Sequence, residues 1–204
     1  PRRALGEVCV DSSCRSAVIL NQLNTVSKCK RCFLLLIFQY VLSIFTEANL
    51  KKSIYDTPIF FERYQQLRHN PISMNEVVEK PTMFGMLPEL KGKKVLDLGC
   101  GMGEHLAYYL EQGASQVVGL DLSELMLHKA KETLSNNWQE GHNFNLYCLP
   151  MESLDQITEN QFDLVVSSFA FHYINDFSDL LAKISAKMTA YGTLLFSQEH
   201  PIVT

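Results

Sequence analysis

From residue 93 onward the sequence alternates between short apolar runs rich in β-branched residues and longer stretches with apolar residues at helical spacing. Few folds accept that alternation, because a strand buried on both faces needs a continuous apolar run and its crossover helix needs one apolar face. Strands are read at Lys94–Leu98, 117–120, 144–149, Phe162–Ser168 and 193–197. Between them lies a helix at 105–111 closed by Gly113, where a left-handed cap is wanted. A second helix is opened by Ser123 as N-cap, with Met126, Leu127, Ala130 and Leu134 on its buried face, and Leu180, Leu181, Ile184 and Met188 mark a third. The expectation is an α/β fold with a doubly wound, mostly parallel sheet and helices on both faces. Ahead of it, Thr57-Pro58 starts a helix carrying Phe60, Phe61, Tyr64, Leu67 and Arg68, ended by Pro71, and a second helical stretch at 74–80 is stopped by Pro81.

The 204 residues are 47% apolar and 20% charged, enough to fill the core of one domain and against disorder or a coiled coil. Charge is uneven: residues 1–52 hold eight Lys/Arg against three Asp/Glu, while 53–204 hold ten against nineteen, a net of −9. A surface so acidic repels phosphate backbones, so no nucleic-acid partner is expected. Of six cysteines, Cys9, Cys14, Cys29 and Cys32 overlap the spacing of a zinc site, but they lack knuckle residues around the first pair, and unpaired thiols are the preferred reading. The apolar run at 33–45 follows a basic cluster, yet thirteen residues with Gln39 and Ser43 inside are too few to span a bilayer, which takes about twenty. No membrane partner is expected, and the expected location is cytoplasmic. Residues 1–52 are read as carrying no functional signal. A start at Pro1, with no methionine before Met74, and an end at Thr204 directly after an apolar run read as a fragment of a longer frame.

In a sheet of this kind ligands sit beyond the carboxyl ends of the strands, and the first strand-to-helix turn is the usual contact. Here that turn is Asp97-Leu98-Gly99-Cys100-Gly101-Met102-Gly103. Alternate glycines let the backbone approach a ligand without Cβ interference. Asp121, at the end of the second strand, is placed to accept hydrogen bonds from two ribose hydroxyls. The third glycine of a dinucleotide fingerprint is replaced by Glu104, which counts against NAD. Asp97 opposes a pyrophosphate but suits a ligand bearing an ammonium and a sulfonium, and S-adenosylmethionine has both charges and no phosphate. Its carboxylate needs a cation, which Arg68 supplies.

The motifs VLDLGCGMGEH (95–105), VVGLDLS (117–123) and FDLVVSSFAFHYI (162–174) resemble those of class I S-adenosylmethionine-dependent methyltransferases, from about Tyr55 to the end of the chain. With YDTPIFFERYQQLR at the front and FSQEHPI (196–202) at the close, the chain looks like a small bacterial-type subgroup, similar to methyltransferase type 11. The resemblance implies a Rossmann-like domain at 93–204 behind a helical cap at 53–92, with the sheet stopping after its fifth strand where the family has two more. It further implies that Asp97, Gly99 and Gly101, together with Tyr64, Arg68, Cys100, Gly103 and Ser168, surround the methionine end. Asp121 takes the ribose, Met151 and Glu152 the adenine, and Leu122 packs on its face. Pro150 stands where many relatives carry an acid, which leaves Glu152 to read the exocyclic amine.

Methyl transfer from a sulfonium mainly requires that donor and nucleophile be held in line and water kept out, so a general base is optional. Candidates for that catalytic role are His172, Tyr173, Glu199 and His200. Cys100 is expected to serve as a small loop residue rather than a nucleophile, Cys148 to be buried in the third strand, and His105 to be structural. No Asn/Asp-Pro-Pro-aromatic motif follows the fourth strand, no Pro-Cys pair suggests pyrimidine C5 chemistry, and no basic aromatic face suggests RNA or DNA docking. The expected substrate is a small molecule. Two other readings stay open: a truncated or non-catalytic cofactor-binding module, and a nicotinamide-dependent oxidoreductase.

Overall fold

The fold was obtained as a computed structural model and describes residues 17–20, as backbone alone, together with 53–68 and 70–198. The four front cysteines, the apolar run at 33–45, Glu199 and His200 lie outside the described residues. Among the described residues six strands form one sheet: β1 (Ala17–Leu20), β2 (Lys94–Leu98), β3 (Gln116–Asp121), β4 (Phe144–Cys148), β5 (Phe162–Ser168) and β6 (Met188–Ser197), in the order β1-β6-β5-β2-β3-β4. Every pairing is parallel. The helices are α1 (Pro58–Arg68), α2 (Lys80–Met86), α3 (Glu104–Glu111), α4 (Glu124–Ser135) and α5 (Phe177–Lys187).

Strand alternation sends successive side chains to opposite faces, and each face has its own core. Val95, Val117, Leu164, Val166 and Leu195 meet Met83, Leu106, Tyr109, Leu110, Leu127 and Leu134 from α2, α3 and α4. Leu96, Leu98, Val118, Leu120, Val165 and Phe196 meet Leu180 and Ile184 of α5, with Leu154 and Ile157. The doubly wound α/β expectation therefore holds, with the strand order reversing between β2 and β5. That reversal opens the crevice into which the turn after β2 projects.

Several local expectations need correction. The front segment carries a strand, since β1 pairs in parallel with β6 over Ala17–Leu20. Pro81 does not stop a helix. It stands in the first turn of α2, where a missing N–H is no loss, and the chain enters α2 through a π-helical turn at Asn75–Glu79. Met188 begins β6 instead of ending α5, because no turn residue separates the two elements, and β6 crosses a register shift opposite Phe162 and Leu164 before pairing evenly. Cys148 is exposed, because β4 is the edge strand and its last residue passes beyond the core.

Ser123 caps α4 as expected: its Oγ accepts from Met126 N at 3.2 Å and donates to Asp56 Oδ1 at 2.7 Å. Ser123→Ala is expected to lower stability by about 1–2 kcal/mol, since the cap and the bond to Asp56 are lost together. A fall in the urea midpoint at unchanged slope checks it.

Candidate functional site

The turn after β2 has backbone that side chains resist: φ is +82° at Gly99, +52° at Gly101 and +78° at Gly103. A Cβ at Gly101 would meet nothing within 4 Å, so bare backbone faces open space there. At Gly99 it would fall 2.6 Å from the Ala170 Cβ, and at Gly103 2.9 Å from the Ala130 Cβ. Gly103 therefore seats the start of α3 against α4 and is not among the residues that wall the cleft. Gly99, Cys100 and Gly101 do wall it, together with Tyr64, Arg68, Asp97 and Ser168. Cys100 is buried, and burial pushes its thiol well above the ordinary range, with Asp121 and Asp97 adding to the effect, which leaves it inert as a nucleophile.

Asp97 is the strongest electrostatic feature. It is 1% exposed, and neither carboxyl oxygen has a hydrogen-bond partner. Burial, then the charges of Asp121 and Glu79, push its carboxyl up to about 8. Asp121 is differently supported: Gly101 N donates to Oδ2 at 2.8 Å and Ser123 N to Oδ1 at 2.9 Å. Burial raises its pKa and these bonds pull it back. Backbone donors, with Leu122 acting beside Gly101 and Ser123, use part of the roughly four lone-pair directions of the carboxylate and leave the rest for a ligand. Leu122 is half exposed beside it. The Met151 Cε lies 3.3 Å from where a Gly99 Cβ would stand. The Glu152 side chain is exposed, and its backbone oxygen accepts from Lys183 Nζ at 2.6 Å.

The front helix closes the other side. Gln65 of α1 donates to the Met102 sulfur at 3.7 Å, tying α1 to the glycine loop. Arg68 reaches the cleft but stands 3.6 Å from Glu104, which also lies 3.5 Å from Lys80, so the residue that breaks the dinucleotide fingerprint is the partner of the cleft's cation. Tyr55 packs edge-on against Phe60 and Tyr64 at 5.2 and 5.1 Å, and its hydroxyl is 3.3 Å from that of Tyr173. His172 and Tyr173 sit on a short 3-10 turn, Phe171–Tyr173, with their rings 4.1 Å apart; Tyr173 is exposed and His172 half-buried. His105 does more than open α3: it is buried, lines the cleft and packs on Phe84 at 5.2 Å, and burial, with Arg68 and Lys80 nearby, lowers its pKa to about 3, so it is neutral.

Three residues escape sequence reasoning. Tyr55 and Asp56 fall within the front motif YDTPIFFERYQQLR without a role of their own. Asp56 in fact accepts from Ser123 Oγ and from Leu125 N at 3.2 Å, pinning the front segment to the start of α4. Glu79 is buried at 7%, and its Oε1 accepts from Ser168 Oγ at 2.7 Å and Ser197 Oγ at 2.8 Å. A signal for Glu79 exists, since it stands four residues before buried Met83 and hence on the apolar stripe, where a lone carboxylate is out of place. Among the described residues no group of His, Cys, Asp and Glu is arranged to hold a metal ion, and no helix is long and apolar enough to cross a membrane.

With this geometry in place, the chain was compared with known proteins. Residues 95–192 match the family described as methyltransferase domain. An uncharacterized protein of Haemophilus influenzae is 57% identical over 156 residues, covering 76% of this chain and 61% of that protein. A tRNA U34 carboxymethyltransferase of Alteromonas mediterranea is 32% identical over 109 residues, 52% of this chain and 32% of that enzyme. Among solved structures, an S-adenosylmethionine dependent methyltransferase from Mesorhizobium loti superposes with a TM-score of 0.56 at 35% identity, covering 64% of this chain and 57% of that one. The chain thus spans less than two thirds of the length of each of these relatives.

Proposed function

We propose that this chain, similar over residues 95–192 to the methyltransferase domain family and to an S-adenosylmethionine-dependent methyltransferase of known structure, transfers a methyl group from S-adenosylmethionine to a small molecule by in-line displacement. The observation that carries this reading is the buried carboxyl of Asp97, with both oxygens unpartnered, at the mouth of an open glycine turn. A buried anion without a partner is costly, and a ligand bearing positive charge relieves that cost. A pyrophosphate would face Asp97 with Glu104 close behind, so the donor set fits a sulfonium amino acid and opposes a dinucleotide.

When bound, S-adenosylmethionine supplies a methyl group on a sulfonium that is already a good leaving group. In this reading Asp97 and Ser168 receive the amino head, and the backbone at Gly99 and Gly101 lets it approach. Arg68 shares its guanidinium between Glu104 and the carboxylate of the ligand. Asp121 directs its remaining lone-pair directions at the ribose, while Leu122 and Met151 flank the adenine and Glu152 closes on its edge. Tyr64 lines the cleft, Tyr55 packs on it and meets Tyr173 through their hydroxyls, and in this reading these rings keep water out while His172, next to Tyr173, takes a proton from the acceptor. Glu199 and His200 stay candidates for that base. A small acceptor is favoured over tRNA by the net charge of −9 on residues 53–204 and by the missing Asn/Asp-Pro-Pro-aromatic motif.

The test is calorimetric titration at fixed salt. S-adenosylhomocysteine is expected to bind with one site per chain and NADH to give no heat of binding. Binding of NADH, or of neither ligand, overturns the cofactor assignment. Incorporation of labelled methyl from S-adenosylmethionine into a small-metabolite pool, and none into bulk tRNA, then supports the acceptor class; the reverse result rejects it.

A further inference from the structure

Three strand ends meet on one face of the sheet. Alternation places Asp97 of β2, Ser168 of β5 and Ser197 of β6 on the side covered by α2 and α3, in phase with Val95, Val166 and Leu195 of that core. Ser168 and Ser197 are register partners, and both hydroxyls converge on a single oxygen, Oε1 of Glu79, at 2.7 and 2.8 Å. Glu79 arrives from the π-helical turn above them, and its Oε2 is buried without a partner, as are both oxygens of Asp97. Ser168 also lines the cleft, whereas Glu79 lies behind it.

A serine hydroxyl has one proton to donate. Ser168 donates its proton to Glu79, away from the cleft, so toward the cleft its oxygen presents lone pairs alone. Beside it stands Asp97, whose carboxyl becomes acceptor-only once a bound cation drives off its proton. Two acceptors without a competing donor match a group made entirely of donors, and an ammonium with three N–H bonds is such a group. Glu79 also anchors the turn that follows. Phe169, whose φ of +48° is a left-handed conformation, donates its N–H to Ser197 O at 3.0 Å and to Ser197 Oγ at 3.2 Å, and the Ser197 hydroxyl is itself held by Glu79.

We propose that Glu79 is a positioning residue which, by holding the proton of Ser168, makes that hydroxyl an obligate acceptor, so that Ser168 and Asp97 together select the ammonium end of the cofactor. This rests on the methyltransferase reading above and adds to it the residue that sets hydrogen-bond polarity in the cleft.

The experiment compares S-adenosylhomocysteine, which carries the amino-acid head, with 5′-methylthioadenosine, which lacks it, by calorimetry on the wild-type chain and on Glu79→Ala, Ser168→Ala, the double variant and Glu79→Gln. Glu79→Ala and Ser168→Ala are each expected to weaken S-adenosylhomocysteine by about tenfold, with 5′-methylthioadenosine changed by less than about twofold. The double variant is expected to be no weaker than Ser168→Ala alone, because Glu79 acts through that hydroxyl. Glu79→Gln keeps the volume and an oxygen able to accept from both serines, so it retains wild-type discrimination and covers the case in which the alanine variant fails to fold. Equal weakening of both ligands in Glu79→Ala, additive losses in the double variant, or loss of discrimination in Glu79→Gln overturns the proposal. Failure of the wild-type chain to bind either nucleoside rejects the cofactor reading itself, and this proposal with it.

Discussion

Asp121→Ala is expected to lower the affinity for S-adenosylhomocysteine by at least about 100-fold, because it removes the charge-assisted hydrogen bonds proposed to hold the ribose, each worth about 1.5–3 kcal/mol. The effect has a second source. Asp121 holds Gly101 N at 2.8 Å and Ser123 N at 2.9 Å, so the same carboxylate that is proposed to grip the sugar also fixes the glycine turn against the start of α4. With alanine the turn loses its tether to β3 as well as the ligand's partner. Asp121→Asn keeps one acceptor oxygen and is expected to fall between wild type and alanine. Titration calorimetry reads the affinity, and a change below about threefold in the alanine variant would remove Asp121 from the ribose.

The second large effect is a pH dependence of binding. Asp97 has its carboxyl raised to about 8, far above the ordinary 3.8, chiefly by burial, so near neutrality the free protein keeps a proton there. A bound ammonium favours the ionised form, and binding must then expel that proton. Affinity for S-adenosylhomocysteine is accordingly expected to rise about 50-fold from pH 6 to pH 8, steeply at first and flattening as the free carboxyl titrates. Stability of the free protein runs the other way. The folded state binds this proton more tightly than the unfolded state does, so the stability it contributes is present at low pH and is lost as pH rises from about 4 to about 8. Asp97→Asn removes the titrating group, which predicts a flat affinity profile, binding about 30-fold weaker than wild type at pH 8, and a free protein that melts a few degrees higher than wild type at that pH. Calorimetry at several pH values, in buffers of different ionisation enthalpy, also counts the proton released. A wild-type affinity independent of pH would refute the assignment.

The sequence, before any coordinates, was sufficient for the strand-and-helix alternation, the Ser123 cap, the buried face of α4 and the pairing of a glycine turn with Asp97 and Asp121. These are local or periodic signals: a buried strand must be apolar throughout, a cap needs a short polar side chain, and a tight turn needs glycine. Where local rules competed, the sequence misled. Pro81 reads equally as a stop or as a first-turn residue, and only the turn that precedes it decides. Met188 extends a helical period into a strand because nothing punctuates the junction. Cys148 looks buried until the strand order shows β4 to be an edge.

The site divides in the same way. Its residue types were legible, but its polarity was not. That Asp97 lacks any partner, that Arg68 is held by Glu104, and that Glu79 gathers the hydroxyls of Ser168 and Ser197 are relations between residues up to 118 positions apart in the chain. Short-range pattern carries no record of them. They arise when parallel strands place their carboxyl ends side by side and a helical turn from the front segment is laid across them. The chain therefore specified by itself which groups stand at the strand ends, and the tertiary packing alone decided which face one another, which are starved of partners, and hence which kind of charge the cleft will accept.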